Sequence, residues 1–126
     1  MPLVTLTLAK PASAQRKTGI LDAVHAALVA TGVPADDRFQ RVLELDPADL
    51  RIDPRYPDLI RDRDHDFVLI EILWSAGRSV KVKRQLLDTL MASLAQLEID
   101  PEHVMVVFKE TTWENWSFGG GRLLHA

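Results

Sequence analysis

The chain has 126 residues, enough for one domain with a real core and too few for two domains that fold independently. Hydrophobic residues make up 47% and charged residues 26%, which is typical of a soluble globular protein, and the net charge of -3 provides no basic field for nucleic acid or anionic lipid. There is no Cys, which excludes disulfides and thiolate metal sites, and no apolar run long enough for a membrane span, so we expect a cytoplasmic protein without a secretory signal.

The first half of the chain has the pattern of a β-α-β unit. Residues 2–8 alternate with a period of two, which predicts a strand with both faces at least partly buried. From Ser13 the apolar side chains recur every three or four residues, and Gly32 suits the left-handed position after a helix. Residues 33–37 have turn chemistry, and the alternation over residues 38–45 predicts a second strand.

The second half repeats this order after an irregular surface connection, predicted over residues 46–66 from their Asp, Pro and Arg content. The apolar run 67–74 predicts an inner strand, and residues 103–109 predict the last strand. Between them Ser79 caps a helix that we expect Asp100-Pro101 to end. Its predicted buried stripe consists of Val82, Leu86, Leu87, Leu90, Met91, Leu94 and Leu97.

The spacing of these elements suggests an internal duplication. They start near residues 2, 13 and 38 and again near 67, 79 and 103, with offsets of 65, 66 and 65 residues. We therefore predict one α+β domain over residues 1–126, with halves of about 2–62 and 66–126. Two β-α-β units would form a four-stranded mixed sheet with two helices on one face. The uncovered face would carry apolar side chains, so a homo-oligomer is expected.

Three stretches of the chain stand out together: Pro2 directly after Met1, Asp37-Arg38-Phe39-Gln40, and Glu114-Asn115-Trp116-Ser117-Phe118-Gly119-Gly120-Gly121. Together they resemble the tautomerase superfamily, and most of all its malonate semialdehyde decarboxylase group and the uncharacterised tautomerase relatives of that group. The resemblance covers nearly the whole chain. It implies a duplicated β-α-β fold, a homotrimer, an active site around the amino-terminal proline, and no metal or organic cofactor.

Pro2 is the first candidate catalytic residue. Removal of Met1 would leave it as a free secondary amine, which is both a nucleophile and a base. On the sequence alone, Pro2 is better explained as a strand-start residue that needs no hydrogen to donate, and the resemblance reverses this preference. If Met1 is retained, the Pro2 nitrogen is an amide and cannot act in catalysis.

Arg78 lies where the third strand leads into the second helix. A guanidinium there can hold a carboxylate through two parallel hydrogen bonds; the alternative is an ordinary solvated arginine. By the resemblance, the decarboxylases carry two arginines in this loop, of which Arg78 matches the second, whereas Ala76 stands in place of the first. Arg38 is a candidate substitute for the lost substrate-binding cation.

The remaining candidates are assigned by resemblance. Asp37 matches an acidic residue that works with an arginine to position or activate water, although Asp is also a common turn residue. Trp116 and Phe118 match residues that wall the family's pocket, where they would exclude water from the proline; core packing would also explain them. The metal-capable group Asp62, Asp64, His65 and Asp66 is interleaved with arginines, so we expect a solvated loop and no metal site.

The sequence thus predicts a small-molecule tautomerase that acts on a carboxylate-bearing 2-oxo acid or its enol, with Pro2 as general base. One alternative is decarboxylation or hydration of a 3-oxo acid such as malonate semialdehyde, with a cationic Pro2 and with Asp37 assisting water. The other is a non-catalytic binding or signalling protein on the same scaffold. Neither nucleic acid nor membrane is an expected partner.

Overall fold

The computed structural model describes residues 2–124; the expected removal of Met1 concerns a residue outside this range. The strands and helices, in chain order, are β1 (Leu3–Ala9), α1 (Ala14–Ala30), β2 (Phe39–Leu45), β3 (Val68–Ser75), α2 (Val80–Gln96) and β4 (Val104–Thr111). Short 3-10 turns lie at Pro47–Asp49, Pro101–His103 and Trp113–Asn115. Within the described range no helix has the length and hydrophobicity needed to cross a membrane.

The four strands form one mixed sheet in the order β2-β1-β3-β4. Each half contributes a parallel pair, β1 with β2 and β3 with β4, as a β-α-β unit requires. The two halves join through the antiparallel pair β1 and β3, in which Leu3 is level with Leu73. The predicted α+β class and the four-stranded mixed sheet with two helices are confirmed.

The helix boundaries follow from capping groups. The Ser13 hydroxyl accepts a hydrogen bond from the Arg16 backbone N–H at 3.0 Å, and Ser79 does the same for Val82 at 3.2 Å. Gly32, with a φ of 109°, ends α1 in the left-handed conformation that its sequence position predicts.

The predicted end of α2 at Asp100-Pro101 is wrong, because the helix ends at Gln96. Glu98 takes the left-handed position there with a φ of 62°, and the Ile99 N–H reaches back to the Leu94 carbonyl at 3.0 Å. This closing turn buries Ile99 and leaves Leu97 47% exposed, so Leu97 does not belong to the buried stripe. No glycine marks this helix end, and the sequence pattern therefore missed it.

Both helices cover the same face of the sheet, where the core lies. Alternate residues of the two central strands are almost completely buried against α1 and α2: Val4, Leu6, Leu8, Val68, Ile70, Ile72 and Trp74. The helices contribute mainly Ile20, Val24, Leu28, Leu86, Leu90 and Leu94. The core thus occupies one face of the sheet, and the candidate functional residues lie at the ends of its strands.

The opposite face, which we call the open face, has no helix over it. On β2 it carries Phe39 and Leu43, which are 49% and 44% exposed, whereas the alternate residue Val42 packs toward the core. Met105 of β4 is 46% exposed on this face. The more apolar side of β2 therefore faces outward in the single chain, contrary to the usual arrangement of a half-buried strand.

Candidate active site

Sheet topology brings distant parts of the chain to one edge. Pro2 is buried and directly precedes β1, and residues 37–38 directly precede β2, which pairs with β1 in parallel with Leu3 level with Phe39. Because β3 runs antiparallel to β1, its last residues and the loop to Arg78 return to this same edge. The candidate residues predicted from the sequence therefore converge on one end of the sheet.

Arg78 is held on the loop between β3 and α2. Gly77 has a φ of 116°, a conformation that side chains disfavour, and it turns the chain so that Arg78 folds back over the strand end. The guanidinium carbon lies 4.3 Å from the centre of the Trp74 ring, and Nη1 donates a hydrogen bond to the Ser75 carbonyl at 2.5 Å. Among residues 2–124 this is the one hydrogen bond of the guanidinium, so its other N–H groups remain available to a ligand.

The electrostatic environment of Arg78 combines burial with two carboxylates. Partial burial lowers the pKa of Arg78 from its ordinary value, while the charges of Glu110 and Asp37 act in the opposite direction. A guanidinium stays protonated at neutral pH in either case. The interaction with Asp37 also shows that these two predicted site residues lie near one another, although 41 positions separate them in the sequence.

Asp37 lies in the turn before β2, and its backbone N–H donates to the Pro34 carbonyl at 3.0 Å. The residue is half-buried, and one of its carboxylate oxygens, Oδ1, is inaccessible to solvent. The turn brings this carboxylate to the edge occupied by Pro2, and its functional role stays a prediction.

The aromatic side chains of the tail lie against the start of β2. Trp116 and Phe118 stack with ring centres 5.8 Å apart and planes within 7°. The ring centre of Phe118 also lies 5.9 Å from that of Phe39. Gly120 and Gly121, with φ values of 64° and 70°, turn the chain after Phe118. Phe39 is the first residue of β2, so the stacked rings lie against the start of this strand, and their role as a pocket wall stays a prediction.

Arg38 is engaged within the fold. Its Nη2 donates to Asp22 of α1 at 2.5 Å, and its Nε donates to Gln40 at 3.0 Å. The sequence indicated neither partner. A substrate carboxylate would have to compete with Asp22 for this cation, whereas Arg78 has donors available.

Two residues of the site were missed by the sequence analysis. Trp74 and Ser75 are fully buried at the end of β3, and Trp74 underlies the Arg78 guanidinium. The available signal was the alternation of β3, since Trp74 continues the inward-facing series that includes Ile70 and Ile72.

A group that could hold a metal ion lies at the other end of the sheet. Ligand atoms of Asp64, His65 and Asp66 fall within 4.8 Å of one another. Asp66 also pairs with Arg16, whose Nη1 lies 3.4 Å from its carboxylate, and the group is mostly exposed. The expectation of a solvated loop without a metal stays a prediction.

Comparison with known proteins defines the family. The model of a family described as tautomerase enzymes matches residues 37–119, a stretch that includes Asp37, Arg38, Arg78, Trp116 and Phe118. The chain belongs to the tautomerase family.

Particular relatives match over nearly the whole chain. Two structures of malonate semialdehyde decarboxylase, one of them the FG41 enzyme inhibited by 3-bromopropiolate, are 31% and 30% identical with TM-scores of 0.88 and 0.87. The matches cover 96% of this chain and 92% and 93% of those chains. A probable tautomerase of Bacillus subtilis, YusQ, is 24% identical over 97% of this chain and 96% of its own. A symmetric trimer of fused 4-OT, 22% identical with a TM-score of 0.74 over 95% of this chain and 94% of its own, shares the fold.

Proposed function

We propose that the protein is a tautomerase that interconverts the enol and keto forms of a small 2-oxo acid. The observation that carries this proposal is the Arg78 guanidinium, which lies over the buried Trp74 ring at the sheet edge where Pro2 precedes β1 and keeps N–H groups without a partner among residues 2–124. Such a cation fits a substrate carboxylate through two parallel hydrogen bonds. Family membership supports the reaction class.

In the proposed mechanism, removal of Met1 exposes the Pro2 amine. The neutral amine takes the proton from the enol hydroxyl, the electron pair moves to form the carbonyl, and the resulting Pro2 ammonium returns a proton to carbon. Arg78 holds the carboxylate in place during both transfers, which lowers the entropic cost of aligning the reacting atoms. Trp116 and Phe118 limit water access, which strengthens the contacts of Arg78 with the substrate.

A second candidate is decarboxylation or hydration of a 3-oxo acid. Identity of about a third with malonate semialdehyde decarboxylases favours it, as does the Asp37 carboxylate near Arg78. Here a cationic Pro2 would polarise the carbonyl and Asp37 would assist water. Ala76 stands where the decarboxylases are expected to carry an arginine, so the carboxylate of this substrate would be held less firmly, and we favour tautomerisation.

We further propose that the protein assembles as a homotrimer. Phe39, Leu43 and Met105 are partly exposed on the open face of the single chain. In a trimer they would be buried between subunits. The symmetric trimer of fused 4-OT, which has the same fold, supports this assembly. The cytoplasmic location stays a prediction.

The decisive experiment combines mass spectrometry with a substrate panel. The intact mass reports whether Met1 is removed, and phenylenolpyruvate, 2-hydroxymuconate and malonate semialdehyde are offered to the wild type and to Pro2→Ala. We expect enol-to-keto conversion that exceeds decarboxylation, rises with pH as the Pro2 amine loses its proton, and disappears in the variant or after N-terminal alkylation. Activity that survives alkylation would refute the role of Pro2, and a retained Met1 would favour a binding or signalling protein.

A further inference from the structure

We propose that Trp74 is a positioning residue that holds the Arg78 guanidinium in the orientation that binds the substrate carboxylate. This inference rests on the proposed function, in which Arg78 is the carboxylate-binding group. Trp74 contacts the guanidinium and need not contact the substrate.

Two contacts fix Arg78 in different directions. The indole face lies 4.3 Å below the guanidinium carbon, which favours a cation over an aromatic ring, and the Ser75 carbonyl accepts from Nη1 at 2.5 Å. The ring contact restrains the height of the planar cation, and the hydrogen bond restrains its rotation. An arginine held in this way loses less freedom when it forms a two-point contact with a carboxylate.

The platform beneath the cation is itself rigid. Trp74 is fully buried at the end of β3, an inner strand, and it stacks on Phe108 of β4 with ring centres 5.1 Å apart and planes within 19°. An exposed aromatic ring would move with its own side-chain torsions; Trp74 has no room to do so.

Nearby carboxylates do not occupy the cation. Glu110, which pairs with Trp74 in the sheet register, attracts Arg78 electrostatically but forms its ion pair with Lys83 of α2. Asp37 is the other carboxylate whose charge acts on Arg78. Among residues 2–124 the cation therefore takes its contacts from the ring and one carbonyl, and its remaining donors stay available.

Core packing alone does not account for a tryptophan at this position. The Trp74 Nε1–H is buried with no hydrogen-bond acceptor among residues 2–124, which costs free energy that Phe or Leu would not incur. Trp, however, presents the aromatic face that binds cations most strongly. Holding Arg78 explains why the polar indole lies beneath it.

The test uses Trp74→Phe and Trp74→Leu, with Ile70→Ala as the matched control. Ile70 is equally buried on the same face of β3, four residues from Trp74, so its truncation loosens the core without touching Arg78. Thermal melting identifies the variants that fold. For a carboxylate substrate we expect Trp74→Leu to raise KM roughly three- to thirty-fold, the range set by loss of a cation–aromatic contact, with kcat changed less. The KM of Trp74→Phe should lie much closer to the wild-type value than that of Trp74→Leu. Ile70→Ala should leave KM near the wild-type value.

A double-mutant cycle separates positioning from general packing. If Trp74 acts through Arg78, then Trp74→Phe and Trp74→Leu cause no further rise in KM in an Arg78→Ala background. Rises in KM that multiply in the double variants would overturn the proposal. An unchanged KM in a folded Trp74→Leu variant would overturn it as well. If only Trp74→Phe folds, a small KM rise that vanishes in the Arg78→Ala background still decides the matter.

A spectroscopic measurement keeps this proposal separate from the proposed function. With ¹⁵N-labelled arginine, the Arg78 Nε–H signal of the wild type should show the ring-current shift of a group above an indole, and Trp74→Phe should reduce it. Titration with a non-reacting 2-oxo acid should move this signal and should require a higher concentration in the variant. If no substrate of the panel is converted, the proposed reaction fails, while the ring-current shift and the titration of the Arg78 signal still test the role of Trp74. A signal without a ring-current shift would refute the positioning role.

Discussion

Replacing Arg78 with Ala is the most direct test of how the site holds its substrate. The guanidinium is half-buried, keeps a single hydrogen bond within residues 2–124, and has donors left for a carboxylate. A hydrogen bond to a charged partner contributes about 1.5 to 3 kcal/mol, so we expect kcat/KM to fall roughly ten- to hundred-fold. KM rises if the contact forms equally in the ground and transition states, and kcat falls as well if the contact strengthens in the transition state.

The assay compares two substrates that differ only in the carboxylate. Ultraviolet absorbance follows enol-to-keto conversion of phenylenolpyruvate and of its methyl ester, which lacks the anionic group. Arg78→Ala should slow conversion of the acid far more than that of the ester, and Arg78→Lys should fall between Ala and wild type, because it keeps the charge and loses the planar fork. Equal losses on acid and ester, or unchanged kinetics, would refute carboxylate binding by Arg78. Arg38 would then be the next candidate, once freed from Asp22.

Three further outcomes are expected. Sedimentation should give a trimer at micromolar concentration, and a stable monomer would contradict burial of Phe39 and Leu43 between subunits. The hydrogen bond from Arg61 lowers the pKa of Asp100 from 3.8 to about 2, so its contribution to stability is present above pH 3.8 and is lost as pH falls through about 2; melting of Asp100→Asn should lack this dependence. Leu90→Ala should reduce the free energy of unfolding in urea by about 2 to 5 kcal/mol, because Leu90 is fully buried, and a loss under 1 kcal/mol would contradict its place in the core.

Sequence periodicity predicted the presence of the strands and helices better than the residues at which they end. Alternation and three-to-four spacing report which face of an element is buried, so both β-α-β units could be read directly. The end of α2 could not, because Glu98 adopts a left-handed conformation that glycine usually marks. The strand order β2-β1-β3-β4 depends on how the two halves pack together, which no local pattern records.

The candidate site also combines features that the sequence predicts with features that depend on packing. Pro2, Asp37 and Arg78 could be named because they match positions of the family that the sequence resembles, and the topology then gathers the strand ends beside which they lie. The engagement of Arg38 could not be foreseen, because its partner Asp22 lies on α1 and is brought close only by packing of that helix. Trp74 fell within the apolar run predicted as an inner strand, and its contact with Arg78 depends on the fold of the loop.

The antiparallel pairing of β1 with β3 gives the molecule two opposite ends of similar design. The starts of β1 and β2 lie at one end, and the starts of β3 and β4 lie at the other. The position that corresponds to Pro2, one residue before its strand, is held at the far end by Phe67, which is 4% exposed and whose backbone N–H donates to the Asp64 carbonyl at 3.1 Å. Since Phe67 is internal to the chain, its nitrogen is an amide whatever side chain it carries. Under the proposed mechanism, a polypeptide that joins two such units therefore offers the amine of Pro2 at one end, whereas the buried Phe67 side chain closes the other end.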